Sequence, residues 1–437
     1  MTDLLAKVEA SAHRLDVYVG EHRVGTLERQ GAAGSVFAYL PDAATGDFAS
    51  LLMPVRLQSY VVASALIPTF QQNLPEGFLR RKITERFGKV LATDDFMLLA
   101  LTGANPIGRQ RVVPSGFASD WARPLQADVQ ALLSDDRVGS LFADLLEEFI
   151  GFGVSGALPK VLVQERATIH DARWILKAGD AKLPGLVVNE FFTMRAAQLA
   201  GLHTPEFKLA DNGTVLAIRR FDHDDAGRAL GFEDFCALLA MPPERKYGGT
   251  MERIFKAIDA YADGPERLRA KETMIAAHLF SMAAGNTDAH LKNFGLVYAD
   301  LSDVRLAPMF DMVTTKVYAP YRNDIPAISV AGKKLGEPDK TLVRFAQERA
   351  GLTMARLRDM AQRIAAGLEA ASAELAVFGR ARPEFGALCA DMGKQWAAGL
   401  GLLSYFDAPA PRGARGERGP AGGVPPGTPP GKRPANL

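Results

Sequence analysis

The segment GNTDAHLKNFG, Gly285 to Gly295, sets Asp288 and Asn293 five positions apart, with His290 and Lys292 between them. It follows the apolar run AAHLFSMAA and leads into FGLVYADLSDVRLAPMFD, so the cluster falls where a helix gives way to a hairpin. A carboxylate placed there can accept a hydroxyl proton, and side-chain oxygens can hold a hard cation such as Mg²⁺. The hairpin ends at Asp311 in MFDM, and its returning strand should bring that carboxylate beside Asn293. The spacing D-x-x-x-x-N followed by a second acid is the layout of phosphoryl transfer. Asp288 is then the expected base, and Asn293 and Asp311 the expected metal ligands. The bland alternative is a helix C-terminus with ordinary capping residues; the agreement of spacing, hairpin and second aspartate argues against it.

The other parts of such a site stand upstream in order. Lys177 ends the strand WILK and Glu190 opens the helix VVNEFFTM; an ion pair between them would fix the lysine over phosphates. Taken alone, a strand lysine is usually solvated, and Asn189-Glu190 could equally cap the helix. Val154, Ser155, Gly156 and Ala157 form a small-residue turn before the strand that Lys160 begins, where backbone N–H groups could face phosphates. Such turns are common, and this one is not a Walker A sequence. Arg219, Arg220, Phe221 and Asp222 end LAIRRFD where a hinge would meet adenine, through backbone more readily than through side chains. His290 and Lys292 are expected to reach phosphate oxygens. The histidines form no HExxH or similar spacing, so no zinc site is expected.

Elements must bring these residues together. RLDVYVG and HRVGTLE alternate like two strands joined at Gly20-Glu21, with SVFAYL as a third, which predicts a small β-rich N-terminal domain over 1–113. The next unit, 114–222, reads as strand, strand, helix and a hairpin turned at Asn212-Gly213. Residues 223–406 are mainly helical and carry the opening motif. The end, 407–437, is rich in Pro, Gly and Arg and reads as a disordered tail. A net charge of +1 argues against this chain alone being a strong nucleic-acid binder. No run of 18 or more apolar residues and no signal-peptide layout is visible. With two isolated cysteines, Cys236 and Cys389, a reducing, cytoplasmic setting is expected.

Together these segments resemble the HipA family, the serine/threonine kinase toxins of type II toxin–antitoxin systems. GNTDAHLKNFG and APMFDM are similar to its catalytic and metal-binding motifs, and VSGALPKVLV to its phosphate loop. VYVGEHRVGTL, FQQNLPEGFLRR and TGANPIG look like its small N-terminal domain. The resemblance spans about residues 14 to 400. It implies an α+β, two-lobed protein-kinase-like fold with a mainly helical C-terminal lobe, and ATP with Mg²⁺. It also implies transfer to protein serine or threonine, an aminoacyl-tRNA synthetase being one substrate class, and control by a helix-turn-helix, HipB-like antitoxin that contacts DNA on the kinase's behalf. By matching motifs, Asp288, Lys177 and Asn293 are catalytic. The Ser155 to Lys160 loop, Lys177, His290 and the Arg219 to Phe221 hinge contact ATP, and Asn293 and Asp311 bind metal. Phe310 stands where the family can have a tyrosine, and Gly153 where its best-known member carries an inhibitory loop serine. Ser155 matches a second loop serine of some relatives and is the autophosphorylation candidate.

Two other readings compete. Aminoglycoside and choline kinases share D-x-x-x-x-N, which would make this a small-molecule phosphotransferase. A catalytically idle kinase fold could instead tune a DNA-binding antitoxin, although such a protein need not keep Lys177, Asp288, Asn293 and Asp311 together.

Overall fold

The computed structural model describes residues 8–88, 93–117, 125–140, 160–165, 173–179 and 182–407 of the chain. Val154 to Ala157 and the tail after Asp407 lie outside them.

Alternation along the first hundred residues produces an antiparallel sheet. Strands β1 (Arg14–Val19), β2 (His22–Gln30) and β3 (Gly34–Tyr39) follow one another. Strands β4 (Tyr60–Val62) and β5 (Gln110–Pro114) then take the two edges, giving the order β4-β3-β2-β1-β5. Leu15, Val17, Leu27 and Phe37 point from it into a core completed by helices α1 (Gly77–Phe87) and α2 (Asp95–Thr102). Asp94 caps the second of these by accepting from the Met97 N–H, the usual way an aspartate satisfies an orphan donor at a helix start.

A second sheet, β6-β7-β8-β10-β9, comprises β6 (Leu125–Ala127), β7 (Lys160–Glu165), β8 (Arg173–Ala178), β9 (Phe207–Leu209) and β10 (Val215–Arg219). Between β8 and β9 runs α3 (Leu186–Leu199), which begins after Gly185 and turns out through Gly201 at φ 80°. The Asn212-Gly213 turn forms as expected, with Gly213 at φ 72°, a conformation open to glycine at little cost.

Beyond this sheet the chain is helical apart from a three-stranded sheet, β11 (Gly231–Asp234), β12 (Gly295–Tyr298) and β13 (Val304–Leu306). Helices α4 (Met251–Tyr261), α5 (Gly264–Ala284), α6 (Lys340–Ala350), α7 (Met354–Ala381) and α8 (Gly386–Leu403) share one large core. The second half of α5 is buried on every side, which is what AAHLFSMAA encodes. It is approached so closely by α8 that a Cβ on Gly399 would lie 1.9 Å from the Ala283 carbonyl oxygen. Two residues further on, α5 ends at Gly285, and the motif begins there.

Candidate active site

Helix α5 stops at Gly285, whose φ of 71° and contact with the Gln395 side chain leave no room for a Cβ. The loop after it is held by its own polar residues. Asn286 Oδ1 accepts the Asp288 N–H at 3.1 Å, Thr287 N donates to Thr315 Oγ1 at 2.8 Å, and Asn293 Oδ1 accepts the His290 N–H at 3.0 Å. The Asp288 carboxylate reaches solvent and accepts the Tyr247 hydroxyl at 2.7 Å. Enough protein surrounds it that desolvation pushes its pKa above the usual aspartate value, against the Tyr247 hydrogen bond.

Lys177, Glu190, Asp311 and Asn293 form a continuous chain. Lys177 Nζ lies 2.5 Å from Glu190 Oε1 and 2.6 Å from Asp311 Oδ1, and Asn293 Nδ2 donates to Asp311 Oδ2 at 2.9 Å. Burial alone would lower the Lys177 pKa; attraction from Asp311 and Glu190 outweighs it and holds the ammonium charged. Asp311 sits at φ 57°, rare for a non-glycine residue, five positions beyond Leu306, where the hairpin ends earlier than the sequence suggested. Lys160 opens β7 in register opposite Lys177.

Several expectations are corrected here. Glu190 does not open or cap α3: the cap is Gly185, and Glu190 is fully buried one turn in, facing β8. Asn189 is equally internal and ties down the segment after Asp311, accepting the Thr314 N–H at 2.8 Å. Lys292 lines the cleft but is claimed by an acid from elsewhere in the chain. It turns toward the N-terminal domain, 2.8 Å from Glu76 Oε1 and 3.0 Å from the Gln72 carbonyl oxygen. Arg220 and Asp222 pair with each other in the interior, Arg220 also donating to the Pro106 carbonyl and Asp222 accepting the Gly108 N–H at 2.5 Å. Their side chains therefore fasten the end of β10 to the N-terminal domain. Arg219 is more open and lies 3.5 Å from Glu206. Phe221 stacks on Phe310 at 5.3 Å, closing the inner end of the cleft with an apolar wall that includes Ile107 and Phe232. His290 is buried and neutral, burial taking its pKa down to about 4.

Lys246, Glu76 and Gln72 also border the cleft, and Tyr247 joins them through its hydrogen bond to Asp288; sequence reading missed them all. No spacing rule links them to the motif; only FQQNLPEGFLRR, already matched to the N-terminal domain, contained two of them.

Asp311 offers carboxylate oxygens beside Lys177, which Glu190 also faces, while Asn293 turns its Nδ2 to Asp311 and its Oδ1 to the His290 N–H, so its amide would have to turn over to ligate a cation. One carboxylate with one amide oxygen would fit Mg²⁺, which takes one or two carboxylates plus phosphate oxygens. No group of three or more His, Cys, Asp or Glu side chains forms a metal cage among the described residues.

A strand lysine paired to a helix glutamate, a D-x-x-x-x-N loop and a following aspartate on two lobes define a protein with a kinase-like fold. The chain belongs to the HipA family: residues 15–113 match the HipA N-terminal domain and residues 152–372 the HipA-like C-terminal domain. Two Sinorhizobium fredii proteins named as kinases are similar to it. Y4dM is 30% identical over 62% of this chain and 66% of its own length, and Y4mE is 29% identical over 67% and 74%. The serine/threonine-protein kinase toxin HipA of Shewanella oneidensis is 27% identical over 71% of this chain and 77% of its own. The solved complex of HipA, HipB and operator DNA from Shewanella oneidensis MR-1 contains a chain of the same fold. It has a TM-score of 0.68 and 19% identity, covering 91% of this chain and 100% of that one. No helix among the described residues is long and apolar enough to cross a membrane.

Proposed function

We propose that this chain is an ATP- and Mg²⁺-dependent serine/threonine protein kinase and the toxin of a toxin–antitoxin pair. The observation that carries the reading is Lys177 bridging Glu190 and Asp311, with Asn293 hydrogen-bonded to the same Asp311. In this reading the hinge backbone at Arg219 to Asp222 receives adenine against Phe221 and Phe310. Lys177 holds phosphate oxygens, and Asp311 and Asn293 hold the metal. Bound Mg²⁺ would offset phosphate charge and orient the transferred group. Asp288 accepts the proton of the incoming hydroxyl, its carboxylate aimed by Tyr247 and by the Asn286 side chain.

The substrate class we assign is a translation component such as an aminoacyl-tRNA synthetase, and the partner a HipB-like helix-turn-helix antitoxin through which DNA is reached. HipB and operator DNA accompany the Shewanella protein of the same fold, which supports this pairing. Cytoplasmic residence belongs to the same reading.

Incubating the purified chain with labelled ATP and Mg²⁺, alone and with cell lysate, tests the proposal. Labelled protein bands support it. Labelled small metabolites would make the chain a small-molecule phosphotransferase, and no turnover would make it an idle partner of a repressor.

A further inference from the structure

Asp288 is flanked by two segments, the loop carrying Lys292 and the turn Pro243–Gly248 carrying Lys246 and Tyr247. Both lysines meet one side chain. Glu76 Oε1 lies 2.8 Å from Lys292 Nζ and Glu76 Oε2 lies 3.0 Å from Lys246 Nζ. Tyr247, next to Lys246, donates to Asp288 Oδ1 at 2.7 Å. Glu76 stands at the start of α1 but makes no capping hydrogen bond there; its carboxylate is turned into the cleft instead. It is held ionised against the cost of burial by the two lysines, with a pKa lowered to about 2.

From this geometry we infer that Glu76 is a positioning residue for the catalytic loop. By clamping Lys292 and Lys246 together, it sets the place of Asp288 from both sides. The active site would then be completed by the N-terminal domain, a role that rests on the kinase reading above. Docking of that domain does not depend on Glu76. Glu233 accepts from Ser50 Oγ at 2.5 Å and from Leu51 N at 2.7 Å, Gln72 Nε2 donates to the Phe232 carbonyl at 2.9 Å, and Gly108 is bonded to Asp222. A variant lacking the Glu76 charge should keep its fold and its domain contact while the loop loosens.

The test compares Glu76→Gln and Glu76→Asp with wild type. Misplacing a base by a fraction of a contact distance is costly, so Glu76→Gln should lower kcat roughly tenfold to a hundredfold. KM for ATP should stay within about twofold, because the nucleotide contacts lie on other elements. Glu76→Asp, one methylene shorter with the charge kept, should recover part of the loss. Hydrogen exchange of amides 286–293 should quicken in Glu76→Gln while the β1–β3 sheet stays as protected as before. Wild-type kcat in Glu76→Gln, unchanged exchange in the loop, or loss of protection throughout the N-terminal sheet would each overturn the inference. A wild-type chain that transfers no phosphate would instead sink the kinase reading, and the exchange comparison would then decide the clamp by itself.

Discussion

Asn293 and Asp311 stand eighteen positions apart in the chain, yet the amide of one donates to the carboxylate of the other at 2.9 Å. The hairpin β12–β13 makes this meeting, and Asp288 stays apart from it, on Tyr247. The two aspartates should therefore fail differently. Asp311→Asn should raise the Mg²⁺ concentration needed for half-maximal transfer, with part of the rate recovered by added metal. Asp288→Asn should cost about 10² to 10⁴ in rate at every Mg²⁺ concentration, as loss of a general base does. Identical Mg²⁺ titrations for the two variants would show that the separation of roles is wrong.

The Lys177–Glu190 pair has no water to soften its loss, since the Glu190 side chain is 0% exposed. Lys177→Met should destabilise the protein, by up to about 3–5 kcal/mol, because it removes the buried ammonium that faces both Glu190 and Asp311. The double variant Lys177→Met/Glu190→Gln should recover most of that in urea unfolding while remaining inactive. A coupling below about 0.5 kcal/mol in the complete cycle would mean the two side chains act independently.

Activity should depend on pH through Asp288. Desolvation raises its pKa and the Tyr247 hydrogen bond lowers it, so the base is ionised only above a raised value and the rate should climb with pH through it. Tyr247→Phe removes the opposing influence, which should move this acid limb to higher pH. A limb that moves to lower pH, or not at all, contradicts the assignment of Asp288 as base.

If the phosphate loop is a self-inhibitory switch, Ser155 is the acceptor, because Gly153 cannot be modified and added charge would be repelled by nucleotide phosphates. Peptide mapping after prolonged incubation with ATP should find phosphate at Ser155 in wild type and none in Asp288→Asn. An unmodified Ser155 in active protein would leave the antitoxin as the brake.

The motif at Asp288 to Asn293 was legible because it is local: six positions of chain carry both side chains, and the chain beyond one hairpin returns Asp311 to them. Lys177 and Glu190 were legible by order, one ending a strand and the other on the next helix. The partner of Lys292 was not legible, because Glu76 comes from another domain and no periodicity reports such a contact. The burial of Arg220 and Asp222 was not legible for the same reason: the Pro106–Gly108 turn that covers them belongs to the first domain. Tyr247 lies 41 positions from Asp288 and follows no cap, turn or repeat that would single it out.

The bolt between the hinge and the first domain has a thermodynamic corollary. On the kinase reading proposed above, ATP would enter as the two lobes rock about Arg219 to Asp222, and Asp222 is held to Gly108 while Arg220 is held to Pro106. Rocking must then move the first domain or strain those bonds. Any macromolecule that grips residues 15–113 and favours one setting of the hinge will alter ATP affinity by some factor, and ATP must alter that macromolecule's affinity by the same factor. The small sheet is in this sense a handle on the cleft, reachable from a surface far from either aspartate.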